Sequence, residues 1–191
     1  MERFYDVIII GSGPAGLGAA FHLAENSKKS ILLLEKAKIS SGGLRNDCKQ
    51  NYTFPVGFTT ELWEQDEAER LLDIVAAHLQ PEITQQRNLD IYIRRAEKLG
   101  VTLLNIKQAH VGTDRAKSLI ESLIDKLKQM GVDVALETEA IDINYDAKKI
   151  YLKDETEIRF NDLIIAPGRA GYSWLQMIMD KLNISYSDNV V

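Results

Sequence analysis

Six residues near the start of the chain, Gly11-Ser12-Gly13-Pro14-Ala15-Gly16, have the types and spacing to hold a phosphate group. The apolar run at 7–10 leads straight into them. A small-residue helical pattern follows, then a second apolar run at 31–34 that ends on an acid, Glu35. Glycine turns are common by themselves. This one sits between a strand and a helix, and Glu35 follows Gly16 by 19 residues, which makes it a dinucleotide-binding pattern.

Each residue type has a chemical reason. Gly11 permits the tight turn out of the strand, Gly13 lets the backbone approach a pyrophosphate, and Gly16 lets the helix pack closely. Pro14 falls where a helix begins, so its missing N–H costs nothing, and Ala15 completes the turn. The open N–H groups and the positive end of the helix dipole then face the phosphates. Glu35 is expected to accept hydrogen bonds from both ribose hydroxyls. Its charge repels a 2′-phosphate, which argues against NADP.

The elements that must position these groups can be read in order. Residues 4–10 predict a strand, 14–25 a helix and 31–34 a central parallel strand covered on both faces. His22 reads as a packing or surface residue of the first helix. The segment 37–58 is irregular, and Ser41-Gly42-Gly43 can present N–H groups to an anion while Arg45 adds a charge-assisted bond. Helices are expected over 61–79, closed by Pro81, and over 88–98, closed by Gly100. A strand is expected over 101–106. Thr113 is the expected N-cap of a helix whose stripe runs Leu119, Ile120, Leu123, Ile124, Leu127, Met130. Val132, Val134 and Leu136 alternate as a strand beside 31–34. Residues 139–160 read as a three-stranded antiparallel β-meander with turns at 145–148 and 154–155, and 163–166 as a further buried strand. A last helix is expected over 172–182. The fold class is α/β: a Rossmann-like dinucleotide-binding domain, a parallel sheet with helices and a three-stranded antiparallel β-meander.

Composition narrows the function. The 191 residues are 45% apolar and 27% charged, ordinary for a globular chain with a real core. A net charge of -5 disfavours a nucleic-acid partner or an anionic membrane surface. No run is long and apolar enough for a membrane span, and no signal peptide is visible. The one cysteine, Cys48, has no partner for a disulfide or a dithiol relay, which fits a reducing, cytoplasmic setting. No metal site is expected.

GSGPAG, the acid at 35, a helix and strand, a β-meander, and a strand ending Ala166-Pro167-Gly168 together resemble the two-dinucleotide-binding-domain flavoproteins. SGGLRNDCK at 41–49, HVGTD at 110–114 and APGRAG at 166–171 are similar, within that group, to large bacterial and archaeal FAD-dependent dehydrogenases. The resemblance implies an FAD-dependent oxidoreductase. FAD would be held by Gly11, Gly13, Pro14, Ala15 and Gly16 at the pyrophosphate, with Glu35 and Lys36 flanking the adenosine ribose. Gly42, Gly43, Leu44 and Arg45 would run toward the flavin, Ala140 would give a backbone contact to adenine, and Ala166 and Gly168 would lie close to the cofactor. No catalytic residue stands out, since Asn46, Cys48 and Lys49 are not separable from other loop residues. Members of that group are longer, so residues 1–170 are expected to form the FAD-binding domain, with 44–109 inserted in it and 171–191 starting a second domain that is missing. The chain then reads as an N-terminal fragment or a truncated product. It lacks the part that meets an unknown small-molecule substrate and NAD as electron donor, and the bare surface favours self-association. Two other readings stay open: an NAD-binding dehydrogenase domain, and a non-catalytic nucleotide-binding module.

Overall fold

β-Branched and leucine-rich runs suit a strand flanked and covered on all sides. The computed structural model puts them there: Ile8, Ile9 and Leu33 are fully buried, and Ile31–Leu34 is buried throughout. The structure describes residues 3–41, 49–51, 54, 61–80, 82, 87–110 and 112–187. In chain order the elements are strand β1 (Arg3–Ile10), helix α1 (Pro14–Asn26), and strands β2 (Ile31–Leu34) and β3 (Lys49–Asn51). Helices α2 (Gln65–Leu79) and α3 (Leu89–Glu97), strand β4 (Gln108–His110) and helix α4 (Thr113–Gln129) follow. Strands β5 (Asp133–Ala135), β6 (Ala140–Asn144), β7 (Lys149–Leu152) and β8 (Glu157–Ile165) precede the last helix, α5 (Tyr172–Lys181). Two compact units emerge, Met1–Leu44 with Ile120–Val191, and Arg45–Leu119, the division falling inside α4.

The first unit is built on a six-stranded sheet of order β5-β2-β1-β8-β7-β6. Its first four strands are parallel, with Ile9 level with Leu33 on one side and Ile164 on the other, and β5 lies beside β2 as expected. The antiparallel β7 and β6 extend the same sheet. This is the Rossmann-like α/β fold read from the sequence. One expectation changes: the third meander strand and the separate strand at 163–166 are a single strand, β8. Asn161 and Asp162 make no turn, so residues 157–159 pair with β7 while Ile158–Ile165 pair with β1. Beyond Phe160 only β1 flanks β8, so Leu163, Ile164 and Ile165 are half-buried instead of buried.

Ile8, Ile10, Leu32 and Leu34 form one apolar cluster with Ile143, Ile150, Ile158, Phe160 and Ile178. Ile178 belongs to α5, so the stretch expected to open another domain contributes a helix to this unit. Trp174 Nε1–H donates to Ile141 O at 2.9 Å, and Lys181 Nζ lies 2.6 Å from Asp142 Oδ1. Burial acts to raise the Asp142 carboxyl, but the Lys181 ammonium and the Ile143 N–H outweigh it and hold Asp142 below the usual carboxylate range. Within α4, Ile120, Leu123, Ile124 and Leu127 are buried, and Gly131 (φ +87°) stops the helix while the Val132 N–H closes on Leu127 O at 3.0 Å. The helix starts one residue earlier than expected. Gly112 O accepts the first helical bond, from Ala116 N–H at 3.0 Å, so Gly112 holds the cap position and Thr113 is the first helical residue.

In the second unit β3 and β4 pair antiparallel, with Lys49 opposite His110. α2 begins at Gln65, not at 61, because Glu64 is extended and its carbonyl accepts the first helical bond, from Ala68 N–H at 3.0 Å. Leu62 is left 78% exposed. The left-handed Gln80 ends that helix, and Pro81 lies outside the described residues. The strand expected at 101–106 does not form. Val-Thr-Leu-Leu-Asn-Ile has no clean alternation, it joins neither sheet, and Val101 and Leu104 are exposed.

Tyr5 ties β1 to β5 across β2, its hydroxyl donating to Asp133 Oδ2 at 2.6 Å. Burial first, and then Asp133, push the Tyr5 phenol up to about 12 from its ordinary 10.0. A folded value raised above the unfolded one means that this contribution to stability is whole below the ordinary phenol value and is lost as pH rises through about 12. A phenolate absorbance titration of Tyr5→Phe should therefore lack the latest-ionising tyrosine step. Loss of an earlier step instead would show that Tyr5 is not the protected phenol.

Candidate functional site

The bend after β1 is closed backbone against backbone. Gly11 N–H donates to Leu34 O, and Ala166 N–H donates to Ile10 O, both at 2.8 Å, so β1 is clamped by β2 and β8 to its last residue. Gly11 has φ +99°, and a Cβ there would lie 2.1 Å from Ala166 O. A Cβ on Gly16 would lie 1.8 Å from Gly11 O. Strand end, turn and helix therefore touch where a side chain cannot fit. Gly13 is different: its φ is -70°, and nothing lies within 4 Å of where its Cβ would be. Gly13 O accepts the first helical bond, from Leu17 N–H at 2.9 Å, so the first-turn amides of α1 have no partner inside the helix. Pro14 and Ala15 are exposed beside that open space.

Glu35 turns back into this bend. Its Oε2 accepts from the Ser12 N–H at 3.1 Å and from the Ser12 hydroxyl at 2.5 Å, and its Oε1 accepts from the Ala37 N–H at 2.9 Å. Those three bonds use most of the about four acceptor positions of a carboxylate. The chain itself therefore occupies acceptor positions that were expected to face ribose hydroxyls. Glu35 is held from behind as well: its N–H donates to Ala135 O, and its O accepts from Thr138 N–H, both at 2.9 Å.

Ser12, Ser40 and Ser41 are buried around this carboxylate, and sequence reasoning missed their part in it. Ser40 Oγ donates to Ser12 O at 3.3 Å, and Ser41 N–H donates to Ser12 Oγ at 3.2 Å. The Ser41 amide is therefore spent on Ser12 instead of facing an anion. Among the described residues, its own Oγ is buried with no hydrogen-bond partner. The signal for Ser12 was a polar side chain between two glycines of a buried turn, which must find a partner or destabilise the fold.

Beside Glu35 opens a cleft bordered by Gly11, Lys36, Thr138, Ala140, Pro167 and Trp174. Thus Gly11, Glu35, Lys36 and Ala140 meet at one cleft, and Gly16 and Ala166 lie behind the bend. Lys36 Nζ donates to Ala170 O at 3.1 Å, so its ammonium is drawn toward the start of α5. Gly168, in a left-handed conformation (φ +63°), is exposed and does not border the cleft. Gly42, Gly43, Leu44, Arg45, Asn46 and Cys48 lie outside the described residues.

The contacts of the helical glycines separate packing from propensity. Gly16→Ala should destabilise the chain by at least ~1–3 kcal/mol, because backbone cannot move aside. Gly18→Ala, in the same helix with nothing within 4 Å of its Cβ position, should stabilise it by ~0.5–1 kcal/mol. Chemical denaturation of both variants checks this, and equal effects would show that the close approach at Gly16 is not real.

The glycine oxidase of Geobacillus kaustophilus superposes with a TM-score of 0.55 at 15% identity, covering 97% of this chain and 60% of that one. The L-amino acid deaminase of Proteus myxofaciens, solved with anthranilate, gives 0.53 at 17%, covering 97% and 49%. These likenesses are of fold. A thioredoxin reductase of Peptoclostridium litorale is 40% identical over 82 residues, 38% of this chain and 26% of that protein. The chain therefore spans about a quarter of the length of that relative, and half to three fifths of those two structures. A family model matches residues 5–177, nearly the whole length, and the chain belongs to the pyridine nucleotide-disulphide oxidoreductase family.

Proposed function

We propose that the chain is the FAD-binding portion of an FAD-dependent oxidoreductase, a dehydrogenase of a small molecule working in the cytoplasm. The observation that carries this is the Glu35 carboxylate held in the glycine bend by Ser12, next to helix amides that have no helical partner. The residues present fit the adenosine diphosphate part of such a cofactor. Gly13 leaves a space that any other residue would fill, Ser41 Oγ is buried without a partner among the described residues, and Glu35 keeps one acceptor position beside the cleft.

The chain's own part is binding and orientation. The amides at Gly13, Ala15 and Gly16 would hold the diphosphate with dipoles and no side-chain cation. Glu35 would take a ribose hydroxyl and reject a 2′-phosphate. Ala140 would meet adenine through its backbone, Lys36 would border the ribose, and Ala166 with Gly168 would lie toward the flavin. Gly42, Gly43, Leu44 and Arg45 keep the roles that the resemblance implies. Residues 1–170 would make up the FAD domain with 44–109 inserted in it, and 171–191 would lead on toward a substrate domain. Bound FAD supplies two-electron transfer at its flavin ring. NAD would serve the longer protein as electron donor.

Purified chain should take up added FAD and turn yellow. Gly13→Ala should fold as the wild type yet lose at least about ten-fold in FAD affinity, roughly 1.4 kcal/mol. Glu35→Ala should lose ~1–3 kcal/mol of binding, the penalty for leaving polar partners unpaired. Calorimetric titration with FAD reads both. A colourless chain that ignores FAD but is thermally stabilised by NADH would move the assignment to an NAD-binding dehydrogenase domain.

A further inference from the structure

We infer that Trp174 is the wall on which the base of the bound nucleotide lies, an assignment that rests on the dinucleotide site proposed above. Glu35 and Trp174 border the same cleft, and Trp174 is the only aromatic residue that does among the described residues. Its polar atom is already committed, since Nε1–H donates to Ile141 O at 2.9 Å. What the indole has left to offer the cleft is its apolar ring, the surface on which a flat heterocycle packs.

The ring is also held in place. It is half-buried against the apolar cluster that includes Ile178. Farther along α5, Lys181 Nζ contacts both Asp142 oxygens, at 2.6 and 2.7 Å. At the near end, Lys36 Nζ fixes Ala170 O, and a Cβ on Gly171 would come 2.4 Å from Pro167 Cβ. That close approach keeps the start of α5 low over the cleft. A preorganised aromatic wall loses little freedom when a ligand arrives. With the ribose hydroxyl on Glu35, the attached base has Trp174 as its aromatic neighbour.

The chain has two tryptophans, so Trp63→Phe leaves Trp174 as the only indole. ADP is the probe, because it carries the base and ribose without flavin absorbance. In Trp63→Phe, ADP should change the indole emission saturably, with the same midpoint that calorimetry gives for binding. Trp174→Leu should weaken ADP by about ten-fold or more, and Trp174→Phe by no more than about three-fold, since it keeps an aromatic face. If ADP binds by calorimetry but the Trp174 emission does not move, this assignment is overturned and the dinucleotide site stands. If ADP does not bind at all, the site assignment falls and takes this one with it. Should the leucine variant fail to fold, the emission of the Trp63→Phe chain decides alone.

Discussion

At the mouth of the sheet three pieces of backbone meet with no room for a β-carbon between them. Gly11 lies against Ala166 O, and Gly16 lies against Gly11 O. This contact sets the end of β1 flush with β2 and β8 and lays the first turn of α1 on the strand ends. It also places Ser12 inside the protein, where its N–H and hydroxyl need an acceptor. Glu35 is that acceptor, so the acid expected to meet a ribose is first a structural partner of the turn. One contact thereby joins the glycine motif, the acid one strand later and the Ala-Pro-Gly strand end, which are far apart in sequence.

The site is acceptor-rich beside a helix terminus, in a chain of net charge -5. The open amides of α1 carry partial positive charge, and the Lys36 ammonium beside the cleft is turned toward Ala170 O. Fixed dipoles need no side-chain ordering when an anion arrives. They also hold their direction under changes of pH that would titrate a lysine or histidine. The Glu35 carboxylate lies at the end of β2, and the open amides lie at the start of α1.

Strands and helices with strong periodicity were legible. β1, β2, α1 and the buried stripe of α4 come directly from apolar spacing, and the meander turns come from Tyr145-Asp146-Ala147-Lys148 and Asp154-Glu155. Position in the sheet was legible only in part. That 157–160 and 163–165 are one strand depends on Asn161 and Asp162 staying extended along β1, which pairing decides and composition does not. The unformed strand at 101–106 is the converse: an apolar stretch that joins neither sheet. The glycines and Glu35 were legible from motif chemistry. Ser12, Ser40 and Ser41 were not, because a serine's burial is set by what folds over it. Trp174 was not, because its cleft is made by segments over a hundred residues apart.

β8 serves two neighbours of opposite direction, and β1 sits between β2 and β8. Arg3 pairs with Ile158, and Ile10 with Ile165, so the first strand waits on almost the last one for half of its backbone bonds. Loop closure over such a span is slow, and contacts that distant in sequence lengthen folding times. As the chain leaves the ribosome, β1 and β2 emerge with one flank of β1 unpaired until residues 158–165 are made. An unpaired flank of Val-Ile-Ile-Ile is a surface on which nascent chains associate, so this topology makes synthesis the vulnerable stage of the protein's life.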